Sequence, residues 1–152
     1  MRQWMVLAGF IAVCLVVGAL GGFATSQPVL EWYPTLVRPS WTPPSWLFGP
    51  VWTILYIMMG VAAWLVWRTG DAGRALGMFA VQLALNLAWS FLFFGLRSPL
   101  AGLACILLLW LAIAGTILEF RKRSGAAAGL MLPYLAWVSF ATALNAAIVV
   151  LN

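Results

Sequence analysis

The side chains best suited to bind a ligand are aromatic rings and amides that recur at helical spacing in the middle of the chain. Steps of three or four residues separate Gln82, Asn86, Trp89 and Phe93. These side chains therefore share one face of a helix. Rings stack on flat apolar molecules, while amides fix orientation through hydrogen bonds. The pattern predicts a site for a large, flat, mostly apolar ligand with a few polar edges.

Two further segments present comparable faces. In the first, Phe48, Trp52, Tyr56 and Met59 line one side of a helix, whereas Trp64 and Trp67 suit an aromatic belt at the opposite membrane interface. In the second, five residues cluster within about a third of the helix circumference: Tyr134, Trp137, Ala141, Leu144 and Asn145. The small Ala141 leaves space beside the Trp137 indole, so a bulky replacement there is expected to intrude on a ligand.

The amides Gln82 and Asn86 need hydrogen-bond partners because an unpaired amide is costly in a membrane. We expect both to point inward. The alternative is that they bond only to the backbone of another helix.

The stretch from Trp32 to Trp52 holds four of the ten tryptophans and five of the eight prolines, so it is neither an ordinary loop nor a clean helix. Proline fixes the backbone and removes a donor, which predicts a stiff, non-helical lid. The residues assigned to this lid are Trp32, Trp41, Pro44 and Trp46, with Tyr33 and Pro43 expected to reach the ligand. The alternative is an aromatic belt at headgroup level.

Composition places the chain in a membrane. It is 65% hydrophobic and 7% charged, with a mean hydropathy of +1.05. Charge-free runs of at least about 20 residues predict membrane-spanning helices, at 4–25, 46–67, 75–96, 100–120 and 128–151, with the lid loop at 26–45. These runs are apolar on all sides, unlike barrel strands. We therefore predict an all-α, five-helix bundle that forms a single domain over residues 1–152.

Lysine and arginine are distributed unevenly between the two predicted ends of this bundle. Six cations fall on the side of the N-terminus, and only Arg38 and Arg97 fall on the lid side. The positive-inside rule then places the N-terminus in the cytoplasm. The net charge of +5 is read as a topology signal, with no nucleic-acid partner expected.

Small residues form a smooth face on the third span, opposite Gln82 and Asn86. They are Gly73, Gly77, Ala80, Ala84 and Ala88. Small side chains allow close backbone approach in lipid, so this face predicts a helix–helix interface within the bundle or between protomers.

Acid–base or nucleophilic catalysis is not indicated, because the chain has no histidine, no carboxylate pair and no activated nucleophile. The absence of histidine also excludes a histidine-ligated metal or haem. Cys14 and Cys105 lack metal-ligand spacing and are read as packing residues. No metal and no required cofactor are predicted.

Four separated blocks of sequence resemble one family. They are W-Y-P-x-L-x-x-P-S-W-T-P-P, G-P-V-W-x-x-L-Y, Q-L-A-L-N-x-x-W with F-F-G, and P-Y-L-A-W-x-x-F-A-T-x-L-N. The chain is similar in these blocks to the tryptophan-rich sensory protein and translocator protein family, also called the peripheral benzodiazepine receptor family. The resemblance implies porphyrin binding and a homodimer, for which we favour the small-residue face as the seam. It also matches the family's ligand pocket to Tyr33, Pro43, Trp52, Asn86, Trp89, Trp137 and Ala141.

The resemblance suggests a membrane receptor for metal-free tetrapyrroles. Because indoles are oxidisable, a photosensitising porphyrin held against Trp52 and Trp137 would undergo light- and oxygen-dependent breakdown, as some family members are proposed to promote. The alternatives are a transporter of porphyrins or other amphiphiles, and a signalling adaptor acting through a partner protein. The chain stops at Asn152 without the tyrosine and cation that complete the sterol pattern of animal members, which argues against sterol transport. A bacterial cytoplasmic membrane is expected, with an outer membrane as the alternative.

Overall fold

The computed structural model describes residues 2–152, which contain helices and no β-strand. The helices are α1 (Arg2–Ser26), α2 (Pro28–Glu31), α3 (Phe48–Trp67), α4 (Gly73–Ser90), α5 (Pro99–Arg121) and α6 (Gly125–Leu151). Short 3₁₀ turns cover Tyr33–Thr35 and Ser45–Leu47, and a π-helical turn, Phe91–Gly95, extends α4. Five helical segments are long and apolar enough to cross a membrane. The predicted all-α, five-span architecture is confirmed.

Serine caps start the last two long helices. The Ser98 hydroxyl accepts a hydrogen bond from the Ala101 amide over 3.2 Å, with Pro99 in the first turn, where its missing donor is not needed. The Ser124 hydroxyl accepts from the Ala127 amide over 3.1 Å. Each cap satisfies a backbone donor that has no partner within its helix.

The five long helices close into a ring in the order α1, α3, α6, α5, α4 and back to α1. Met59, Ile113, Met131 and Val138 are fully buried inside it. Since the connection from α1 to α3 is the lid segment, the lid lies at the end of the bundle where α4 and α6 finish and α5 begins.

The α1–α3 seam is tight near one end of the bundle and open at the other. A Cβ on Gly60 would lie 2.7 Å from the Ile11 Cα, and one on Gly18 would lie 2.7 Å from the Tyr56 ring. A Cβ on Gly22 or Gly49, both closer to the lid, would meet nothing within 4 Å. The two helices therefore diverge towards the lid.

Trp64 does not belong to an aromatic belt. Its side chain is buried, its indole N–H donates to the Gln3 carbonyl over 2.9 Å, and its ring stacks on Trp4. These contacts join the start of α1 to the end of α3, and the expectation that Trp64 faces the membrane interface is wrong.

Candidate ligand cavity

A cavity of about 500 Å³ occupies the lid end of the bundle. Its wall is built by the C-terminal half of α1, the N-terminal half of α3, the end of α4 with its π-helical turn, and the C-terminal half of α6. Within the described residues, α5 contributes no side chain to it. The lid segment closes the end through Val29, Tyr33 and Ser45.

Tryptophans from three helices form the aromatic part of this wall. Trp52 of α3 and Trp137 of α6 meet edge to face, with ring centroids 6.4 Å apart. Trp89 of α4 stacks on Phe93 at 5.4 Å. Edge-to-face and offset contacts are the preferred aromatic geometries, so the rings hold one another in place around the space.

The π-helical turn explains how two consecutive phenylalanines both face the cavity. The Leu96 amide donates to the Phe91 carbonyl over 2.8 Å, five residues back, which inserts one extra residue into the turn. Phe93 and Phe94 are both buried and line the cavity, with centroids 4.7 Å apart. A regular helix would rotate consecutive side chains about 100° apart.

Asn145 is the one amide among the predicted ligand residues that lines the cavity. Its side-chain oxygen accepts from the Trp89 indole N–H over 3.0 Å, and its amide group donates to the Pro99 carbonyl over 2.8 Å. Asn145 therefore fixes the orientation of Trp89 and joins α6 to α4 and α5.

Gln82, Asn86 and Tyr134 lie outside the cavity wall, in a closed network beneath Tyr56. The Tyr56 hydroxyl donates to the Asn86 side-chain oxygen over 2.5 Å. The Asn86 amide donates to the Tyr134 hydroxyl, and that hydroxyl donates to the Gln82 side-chain oxygen, each over 2.7 Å. The two amides point inward as expected. They bond to the tyrosine hydroxyls of this network and do not face the cavity, from which Tyr56 separates them.

Of the thirteen predicted ligand residues, nine line the cavity: Tyr33, Phe48, Trp52, Tyr56, Trp89, Trp137, Ala141, Leu144 and Asn145. The other four, Pro43, Gln82, Asn86 and Tyr134, do not. Pro43 lies in the extended part of the lid, between the Tyr33–Thr35 and Ser45–Leu47 turns.

Sequence reasoning missed the contribution of α1. Seven α1 residues border the cavity: Leu15, Gly18, Ala19, Gly21, Gly22, Thr25 and Ser26. Gly18 and Gly22 are small residues one helical turn apart, a spacing that favours close packing of another helix. In the structure only Gly18 packs closely, against the Tyr56 ring. Because Ala19, Gly22 and Thr53 are both exposed and part of the cavity wall, the cavity is open between α1 and α3.

The lid is anchored by aromatic contacts and by the end of α6. Trp32 meets Phe93 edge to face at 5.6 Å, and Trp41 meets Phe140 in the same way at 5.6 Å. Trp46 is 73% exposed, and Pro44 is also exposed. Of the lid residues named from the sequence, only Tyr33 reaches the cavity.

A model of the TspO/MBR family matches residues 10–151. The chain belongs to the TspO/MBR family. It is 50% identical to the tryptophan-rich protein TspO of Chlorobaculum tepidum over 99% of this chain and 98% of that protein. It is 42% identical to the human translocator protein, covering 93% and 87% of the two chains. It is 38% identical to the tryptophan-rich sensory protein of Cereibacter sphaeroides, covering 94% and 89%. The family assignment made from the four sequence blocks is confirmed.

As in other TspO/MBR chains, the protein is an integral, multi-pass membrane protein.

The small-residue face of α4 is directed outward. Gly73, Gly77, Ala80 and Ala84 are exposed, and Ala88 is half-buried. Apart from the local backbone of α4, no atom would lie within 4 Å of a Cβ on either glycine. The face therefore takes no part in the interior of this bundle.

Proposed function

We propose that this protein is a membrane receptor that holds tetrapyrroles of the protoporphyrin type, and other flat hydrophobic molecules, in the cavity at the lid end of the bundle. The observation that supports this most directly is a cavity of about 500 Å³ walled by three tryptophans from three helices. Ligand pockets typically span about 300–1,000 Å³ and are lined mainly by apolar and aromatic groups. The names of two relatives, a sensory protein and a translocator protein, fit a receptor or transporter role.

Recognition in this cavity rests on stacking and shape. The chain has no histidine to ligate a haem iron, which favours metal-free tetrapyrroles. The Trp137 indole N–H is the one buried side-chain nitrogen or oxygen in residues 2–152 without a hydrogen-bond partner. An unpaired buried donor costs about 1–3 kcal/mol, so an acceptor atom on a ligand would be favoured beside it.

The pairing of Trp52 with Trp137 favours photochemistry as a second function. Both indoles line the cavity, and their centroids are 6.4 Å apart. In this reaction the light-excited porphyrin takes one electron from a neighbouring indole and passes it to dioxygen, which is reduced to superoxide. The indole radical cation then takes an electron from the porphyrin, so that the porphyrin is oxidised and the indole is restored. No acid–base group is needed.

Transport is the alternative function. The open seam between α1 and α3 gives the cavity a route to the surrounding lipid, as a carrier of amphiphiles requires. Flux of porphyrin across reconstituted vesicles would support transport, whereas saturable binding without flux would support a receptor.

Signalling through a partner protein is a further alternative. It predicts that deletion of the partner abolishes regulation while the affinity of this protein for its ligand stays unchanged.

The proposal also includes the oligomeric state of the protein and its orientation in the membrane. The exposed small-residue face of α4 forms the seam of a homodimer. The N-terminal end, which carries six of the eight cations, faces the cytoplasm, as expected for insertion into a bacterial cytoplasmic membrane.

Titration of the purified protein with protoporphyrin in the dark, followed by tryptophan fluorescence, tests the receptor function. We expect saturable quenching, with one protoporphyrin bound per chain. Illumination of the complex in air should then bleach the porphyrin spectrum. A linear, unsaturable response would contradict the receptor function, and a stable spectrum under light would contradict the photochemical one.

A further inference from the structure

Among residues 2–152, the lid end of the bundle carries three charged side chains, Glu31, Arg38 and Arg97. Two of them neutralise each other, because an Arg97 nitrogen lies 3.4 Å from a Glu31 carboxylate oxygen. No ion pair within residues 2–152 involves Arg38, which is the remaining cation at this end.

Arg38 is held next to the cavity by Tyr33. Its guanidinium carbon lies 4.8 Å from the centre of the Tyr33 ring. Tyr33 is 2% exposed and forms part of the cavity wall. Burial raises the pKa of the Tyr33 phenol, an effect that the Arg38 guanidinium opposes. The cation therefore lies against a neutral ring that borders the cavity.

The residue before Arg38 is fixed from a second direction by Asn152, which directly follows α6. The Asn152 side-chain oxygen accepts from the Val37 amide over 3.1 Å, and its side-chain nitrogen donates to the Val37 carbonyl over 2.9 Å. The Asn152 backbone amide donates to the carbonyl of Ile148, which lines the cavity. Pro39 restricts the backbone on the other side of Arg38. The position of Arg38, beside Tyr33 of the cavity wall, is thus set by its neighbours before any ligand arrives.

We propose that Arg38 binds a carboxylate of the ligand, so that the preferred ligands are anionic amphiphiles whose apolar body fills the cavity and whose acidic group reaches the rim. An arginine pairs with carboxylates through two parallel hydrogen bonds, and such charge-assisted bonds are stronger than neutral ones. The cavity itself supplies no cation, since its lining residues are all uncharged. The inference rests on the proposed receptor function and adds to it the chemistry of the ligand's polar end.

Protoporphyrin and its dimethyl ester provide a matched pair of probes, because they share the ring and differ in the two carboxylates. With the full chain in lipid nanodiscs, Arg38→Gln should weaken binding of the diacid by about tenfold and leave binding of the ester within about twofold. Arg38→Lys should retain most of the diacid affinity. Arg97→Gln, which removes a cation already paired with Glu31, should preserve the preference for the diacid. Raising the salt concentration should weaken diacid binding to the parent more than to Arg38→Gln.

An equal loss of affinity for diacid and ester in Arg38→Gln would overturn the carboxylate assignment and make Arg38 a support for Tyr33. An unchanged diacid affinity would overturn it as well. Both of these results leave the receptor function standing. Failure of the parent protein to bind either probe would overturn the receptor function together with the inference that rests on it.

Discussion

The side-chain amide of Asn86 donates a hydrogen bond to the Tyr134 hydroxyl over 2.7 Å, and this bond joins α4 to α6. The oxygen of the same amide accepts from Tyr56 of α3. Three helices therefore meet at one side chain. Because all members of this network are buried and paired, it fixes how far each helix can slide along its neighbours.

Replacing Asn86 by leucine should destabilise the bundle. The substitution keeps a similar size but leaves the Tyr56 hydroxyl without its acceptor in an apolar interior. A buried unpaired polar group costs about 1–3 kcal/mol. Thermal unfolding in detergent, followed by tryptophan fluorescence, measures the loss.

Thr53→Val is the control for this substitution. The Thr53 hydroxyl is exposed and donates only to the Gly49 carbonyl of its own helix, so its removal should change stability little. Equal losses in Asn86→Leu and Thr53→Val would contradict the stabilising role assigned to the network.

Gly60 allows the closest approach of α1 to α3. A Cβ at this position would lie 2.7 Å from the Ile11 Cα, and backbone cannot move aside as a flexible side chain can. We expect Gly60→Ala to destabilise the protein by about 1–3 kcal/mol through overpacking. Gly9→Ala on α1, where the Cβ would meet nothing within 4 Å, is the matched control and should be neutral or slightly stabilising. An unchanged free energy of unfolding in Gly60→Ala would mean that α1 and α3 do not pack closely at this position in the membrane.

The parts of the cavity that were predictable from sequence are those set by helical period alone. Trp52, Trp137 and Ala141 fall on apolar faces at recognisable spacing, and these faces converge in the structure. Helical period gives the direction of a side chain but not how deeply its neighbours cover it. Gln82 and Asn86 therefore point inward as expected, yet they lie below the cavity because Tyr56 and Tyr134 pair with them from other helices.

The remaining features depend on contacts between distant segments or on a local departure from the regular helix. The contribution of α1 results from its divergence from α3 near Gly22, and its small side chains give no chemical signal. The π-helical turn that brings Phe93 and Phe94 together is invisible to a search for regular periods. The clamp between Asn152 and Val37 joins positions 115 residues apart. None of these could be derived from local spacing.

Ala141 provides a test of where the ligand lies. It lines the cavity near Trp137, so Ala141→Phe should fill part of the space and raise the protoporphyrin Kd by about tenfold or more. Ala136→Phe places the same ring on an exposed position of the same helix, outside the cavity wall, and should leave the Kd within about twofold. Quenching titrations in the dark give both values. Equal Kd values for the two variants would place the ligand elsewhere.

The photochemical function predicts a specific requirement for the two facing indoles. Trp52→Phe/Trp137→Phe should still bind protoporphyrin, because phenyl rings also stack, but light-driven bleaching should slow by about tenfold or more. Trp46→Phe/Trp67→Phe removes the same number of indoles from outside the cavity wall and should bleach at the parent rate. The rate is normalised to the bound fraction. Bleaching of the first variant at the parent rate would show that the indoles take no part in the reaction.

The small-residue face of α4 predicts how two copies associate. Ala84 is an exposed member of this face, and a leucine there would hold two helix backbones apart where close approach is needed. We therefore expect Ala84→Leu to shift the protein from dimer to monomer, as measured by single-molecule photobleaching in lipid vesicles over a range of protein densities. Ala104→Leu makes the same change on an exposed position of α5 and should leave the dimer intact. If both variants dimerise like the parent, the exposed face of α4 is covered by lipid, and the seam of any dimer lies on another face.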